Sequence, residues 1–127
     1  MGSSIYRCLI YRPPIYKIPV RVTEQTYFVL ASLIDGPLHG YAIVSEATEL
    51  SGGRVCLSAG TLYGALDRLR RDGLVEEAGE EKVAGRRRRY YRLTEEGADA
   101  LTAEAARMRA AARAVESRRI ARRPRPA

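Results

Sequence analysis

Residues 58–73, SAGTLYGALDRLRRDG, constrain the fold more than any other stretch. Ser58 is a good helix N-cap residue and Asp72–Gly73 a good helix stop. Between them Leu62, Ala65, Leu66 and Leu69 fall on one helical stripe, so this face must meet a core. The opposite face carries Gly60, Thr61, Gly64, Asp67, Arg68 and Arg71, with Tyr63 on the flank. Such a face suits entry into the major groove. Small residues lie at the N-terminal half, while Ser58, Thr61 and Tyr63 bring hydroxyls to the positive end of the helix dipole. Arg68 is long enough to reach a phosphate or a base edge. An ordinary surface helix capped by Ser58 would show much of the same pattern, so the neighbouring elements must decide.

Two helices are predicted upstream. The first is capped by Thr23, with Glu24 in its first turn and Tyr27, Leu30, Ala31 and Ile34 on one face; Gly36–Pro37 ends it. The second is predicted from about Leu38 to Leu50, with Ile43, Ala47 and Leu50 on one stripe and Tyr41, Val44 and Thr48 beside it; Ser51–Gly52–Gly53 breaks it. Downstream come two short β-capable runs, Leu74–Glu77 and Tyr90–Leu93. The polar stretch between them, with Gly79 and Gly85, reads as a hairpin with a long, flexible tip. Thr94 then caps a long helix with Glu95 and Glu96 in its first turn. Its positions Ala98, Leu101, Ala105, Met108, Ala112 and Val115 alternate steps of three and four, the spacing of a helix that pairs with another helix. The expected fold class is mainly α (α+β), a winged helix-turn-helix of order α-α-α-β-β followed by a long C-terminal dimerisation helix.

In this order the segment GRRRRYYRLTEEG (85–97) takes on meaning. If Leu93 packs inward, the strand period puts Tyr91 on the same face and Tyr90 and Arg92 on the other. Arg86, Arg87, Arg88 and Arg89 then lie at the hairpin tip and strand entry, with Lys82, where they can follow a phosphate backbone or enter a minor groove. A merely solvated charge run is the competing reading. The chain of 127 residues has a formal charge of +7, which favours a polyanionic partner. Residues 58–97 carry nine basic and eight acidic side chains, so the arginine run is a local feature bracketed by glutamates rather than part of a basic arm.

Other classes find little support. No apolar run is long enough to span a bilayer. Cys8 and Cys56 form no metal-ligand pattern, and a cytoplasmic, reducing location is the simplest expectation. His39 stands at a helix start beside Gly40, where packing or capping explains it, and no nucleophile–base pair is evident. No enzyme activity, cofactor or metal is expected. Cys56, before the third helix, is expected to be a small buried apolar residue.

LHGYAI (38–43), LSAGTLYGALDRLRRDGLV (57–75) and GRRRRYYRLTEEG together resemble the PadR-type transcriptional regulators over about residues 21–115. The resemblance implies a winged-helix DNA-binding domain, a homodimer held by the C-terminal helix, and repression through a palindromic operator. Many members are released by a small aromatic or drug-like effector. Carried over by motif, Ser58, Gly60, Thr61, Tyr63 and Arg68 match the recognition helix, and Lys82, Arg86, Arg87, Arg88 and Arg89 match the wing, with Tyr90 beside them. Leu101, Ala105, Met108, Ala112 and Val115 fall on the dimerisation helix. An effector pocket would lie between the helix around Tyr27–Leu33 and the partner's C-terminal helix. Ala59 stands where many relatives have proline, and the chain has no tryptophan to stack a flat drug.

The expected organisation is an N-terminal extension at 1–20, poorly ordered or an arm and without counterpart in the family's usual start, a DNA-binding domain at 21–93, a dimerisation helix at 94–117 and a basic disordered tail at 118–127. The expected partners are double-stranded DNA, a second copy of the chain and a small-molecule effector, with no membrane. The competing function is a winged-helix protein-interaction module without specific DNA binding.

Overall fold

A computed structural model describes residues 22–118; the expectations for the N-terminal extension, and for the basic tail beyond Arg118, lie outside the described residues. The elements are α1 (Glu24–Ser32), β1 (Leu38–His39), α2 (Gly40–Leu50), α3 (Ala59–Arg71), β2 (Val75–Val83), β3 (Arg86–Leu93) and α4 (Glu95–Glu116). The strands form one antiparallel sheet in the order β1-β3-β2. The α+β winged helix-turn-helix expected from the sequence is the fold observed.

Capping sets the helix starts. The hydroxyls of Thr23, Ser58 and Thr94 accept from the backbone N–H groups of Thr26, Thr61 and Gly97, satisfying donors that a helix N-terminus leaves free. The end of α3 is equally specified. Leu74 N–H donates to Leu69 O at 2.9 Å and Gly73 N–H to Arg70 O at 3.0 Å, with Gly73 at φ +76°. This pair of bonds needs a left-handed residue, which glycine supplies without a Cβ penalty. The chain therefore turns directly from α3 into β2.

The core gathers one face from every helix. Val29, Leu30 and Leu33 meet Ile43, Leu62, Leu66 and Leu69, closed by Val55, Leu57, Leu74, Val75, Tyr91 and Leu101. The predicted stripe of α3 is buried in full. Several upstream details differ. Ile34, expected inside, is 62% exposed, because α1 stops at Ser32 and the chain leaves the helical path before it. Val29 and Leu33 are buried instead, since α1 packs against both α2 and α4 rather than along a single stripe. Leu38 and His39 are not helical: they pair with Tyr91 and Tyr90 of β3. Leu50, at the last turn of α2, lies beyond the edge of the core and is half exposed.

The hairpin also differs from expectation. It has no loose tip. β2 and β3 pair along almost their whole length, and the turn is only Ala84–Gly85, both at positive φ (51° and 77°). That is the two-residue turn whose twist matches paired strands. The register shifts between Glu77 and Gly79, placing a bulge at Ala78. The polar β2 sequence lacks apolar alternation, which hides it as a strand; what lies opposite it is a row of arginines, and opposed charges favour cross-strand pairing.

The base of this ribbon is tied to α4. Thr94 Oγ1 donates to Gly73 O at 2.6 Å, and Thr94 N–H donates to Leu74 O at 3.1 Å. Gly97 sits so close that a Cβ there would lie 2.0 Å from Leu74 O. The early turns of α4 thus rest directly on the α3–β2 junction. Later, α4 leaves the domain: Leu101 is buried and Ala105 half-buried, and every residue from Ala106 to Arg118 is exposed.

Candidate nucleic-acid interface

The outward face of α3 is bare where the sequence predicts. Gly60, Thr61, Gly64, Asp67, Arg68 and Arg71 are exposed, and added Cβ atoms at Gly60 or Gly64 would meet nothing within 4 Å. The glycines leave a low strip one turn long. Ser58 and Thr61 sit together at its head, Ser58 Oγ donating to Thr61 Oγ1 at 2.9 Å. Thr61 keeps its own hydroxyl proton free for an outside acceptor. Arg68 has no carboxylate within 4.0 Å among the described residues, whereas Arg70 turns away to Glu77 at 3.2 Å.

Along the wing the cations divide into two groups. Arg89 pairs with Glu80 at 3.5 Å and with Glu77 at 3.9 Å, and Arg92 pairs with Glu76. Lys82, Arg86, Arg87 and Arg88 are exposed and have no ion-pair partner within 4.0 Å among the described residues. The arginines were expected at the hairpin tip and strand entry; all four lie in the regular strand, because the turn takes only two residues. Consecutive arginines therefore point to alternate faces of the ribbon.

Tyr90 and Tyr91 part as the strand period requires. Tyr91 is buried, and burial raises its phenol above the usual tyrosine range. Tyr90 packs edge-to-face on His39, with ring centroids 5.6 Å apart, and donates its hydroxyl to Glu81 at 2.6 Å. That hydrogen bond is the main cause of its raised pKa, which Arg88 opposes. The Tyr90 hydroxyl is thus committed within the wing.

Sequence reasoning missed two residues at this face. His39 does cap, as expected: its Nδ1 accepts from Ala42 N–H at 3.4 Å. It also lines, with Gly40, Tyr41, Tyr63 and Arg86 to Arg89, a cleft of about 350 Å³ between helix and wing. Tyr41 is 86% exposed, not beside the core stripe. The signal existed, since a helix turns about 200° between positions 41 and 43, which sends Tyr41 away from buried Ile43. Gly40 allows this crossing: a Cβ there would lie 2.9 Å from the Tyr63 hydroxyl. Cys56, expected to be buried, is exposed; the core takes its neighbours Val55 and Leu57 instead, as extended chain alternates its side chains.

Of the residues expected on a dimer seam, Met108, Ala112 and Val115 are exposed on the projecting part of α4. Leu101 is buried in its own domain instead, because the early turns of α4 pack on α1. Among the described residues no cluster of His, Cys, Asp and Glu could hold a metal ion, and no helix is long and apolar enough to cross a membrane.

A helix with a bare outer face, held beside a cationic two-stranded ribbon, defines a winged helix-turn-helix domain. The pattern of the transcriptional regulator PadR-like family matches residues 29–103, and the chain belongs to that family. Its members are transcriptional regulators, which are generally not enzymes. A PadR family transcription regulator from Clostridium difficile is 26% identical, with a TM-score of 0.63 over 75% of this chain and 97% of that one. Bacillus subtilis PadR, solved in complex with operator DNA, shares the fold at 23% identity and a TM-score of 0.57, over 84% of this chain and 52% of that one. A 37.1 kDa protein from a Streptomyces fradiae transposon is 44% identical over 86 residues, 68% of this chain; the match spans 23% of that relative's length.

Proposed function

We propose that this transcription regulator is a cytoplasmic, homodimeric repressor that binds a palindromic operator, with α3 in the major groove and the wing on the adjoining backbone. The observation that carries the reading is the exposed, low Gly60–Gly64 strip of α3 beside a cleft that Tyr63 of the same helix shares with Arg86, Arg87 and Arg88 of the wing, three exposed arginines without an ion pair among the described residues. Thr61 and Arg68 would read bases, Ser58 and Tyr63 would position the helix, and the wing cations would neutralise phosphates. The operator complex of Bacillus subtilis PadR supports a DNA partner for this fold. In this reading residues 21–93 form the DNA-binding unit and 94–117 the dimer helix, whose exposed Met108, Ala112 and Val115 need a second copy to cover them. A small aromatic effector would release DNA by favouring one dimer geometry over another.

The test is a salt-resolved binding titration with the duplex upstream of the chain's own gene, joined to sedimentation. A dimer and a steep loss of affinity with salt are expected. Arg87→Ala with Arg88→Ala should weaken all duplexes alike. Thr61→Ala or Arg68→Ala should change sequence preference, by about 1–3 kcal/mol at the base concerned. A monomer without duplex affinity would reject the reading.

A further inference from the structure

The ribbon sets three glutamates directly opposite three arginines: Glu76 faces Arg92, Glu80 faces Arg89 and Glu81 faces Arg88. The first two couples form ion pairs. The third does not, although both side chains are exposed and in register. Glu81 instead accepts the Tyr90 hydroxyl at 2.6 Å. Tyr90 lies two residues beyond Arg88 on the same strand, hence on the same face.

We propose that Tyr90 is a positioning residue that holds the Glu81 carboxylate off Arg88, leaving that guanidinium available to a DNA phosphate. The inference rests on the DNA-binding reading and adds to it a cause for the availability of one cation. The phenol is well placed for this task. Its ring is steadied edge-to-face by His39, which is itself fixed by strand pairing to Tyr90 and by capping α2. A hydroxyl donating to a carboxylate forms a short, charge-assisted bond, and it gives Glu81 a partner other than the guanidinium. Arg88 is the only member of Arg86–Arg88 that needs such protection, because Arg87 faces Lys82 and Arg86 faces Val83. The raised pKa of Tyr90, caused first by Glu81 and opposed by Arg88, agrees with a phenol standing between the two charges.

The test is a double-mutant cycle in the full chain, reading the slope of log affinity against log salt on a duplex that the wild type binds. Tyr90→Phe keeps the ring on His39 but frees Glu81 to pair with Arg88. The slope should become shallower by about 0.9 for each wing, the value of one lost phosphate contact. Glu81→Gln alone should keep the wild-type slope, and Tyr90→Phe with Glu81→Gln should restore it. An unchanged slope in Tyr90→Phe overturns the proposal. So does a double variant as shallow as Tyr90→Phe, since Tyr90 would then touch DNA itself. A steeper slope in Glu81→Gln overturns it too, by showing that Glu81 already competes for Arg88. A wild type that binds no duplex sinks the DNA-binding reading itself, an outcome distinct from these three.

Discussion

The two ends of the β2–β3 ribbon are held by different physics. At the base, Val75 and Tyr91 are buried, Leu93 packs against the core, and Thr94 and Gly97 join the strand to α4 through backbone contacts. At the far end no side chain from Glu80 to Arg89 is buried, and charge pairing between neighbouring strands takes the place of packing. Exposed ion pairs contribute little to stability and are screened by salt. The contrast teaches a division of labour: the base sets where the wing points, and the outer half is free to present charge.

The largest effect of a single substitution is expected at the base. Gly97→Ala drives a methyl into the Leu74 carbonyl, 2.0 Å away, so α4 must shift bodily. A loss of about 3 kcal/mol is expected from chemical denaturation; a loss below about 1 kcal/mol would mean that α4 slides freely on the wing base. Thr94→Ala removes both the helix cap and the bond to Gly73 O. It should cost about 1–2 kcal/mol in the same assay, and a neutral result would assign the joint to apolar packing alone. The smallest effect is expected at the turn. Ala84 stands at φ 51°, where an L side chain is strained, so Ala84→Gly should raise stability by less than about 1 kcal/mol. A loss in the thermal midpoint would show that the turn contributes rigidity beyond its backbone angles. Arginine changes at positions 87 and 88 should reach DNA binding and leave the midpoint unmoved.

Much of this was legible in advance for a physical reason. The Leu62–Ala65–Leu66–Leu69 stripe, its cap at Ser58 and its stop at Gly73 are local features, and helix periodicity reads them directly. The same holds for Thr94 and the start of α4. Tyr41 was misplaced because its neighbours Ile43 and Val44 suggested an apolar surround, while the core reaches only one side of α2. The β2 strand was missed beyond Glu77 because polar strands carry no hydrophobic period; only the arginines across the ribbon explain it. Which of those arginines are open was equally hidden, since it depends on which glutamate stands opposite each one after the bulge at Ala78.

The amino-acid sequence by itself determined the order of elements, the inward face of α3, the capping residues and the presence of a cationic wing, because each follows from contacts within a few residues. Only the tertiary structure decided that the wing is a tight ribbon, that Arg89 and Arg92 are paired while Arg86, Arg87 and Arg88 have no ion pair among the described residues, and that Tyr41 and His39 border the same cleft as the wing. Those outcomes depend on register and close approach between segments far apart in the chain, and local periodicity carries no record of either.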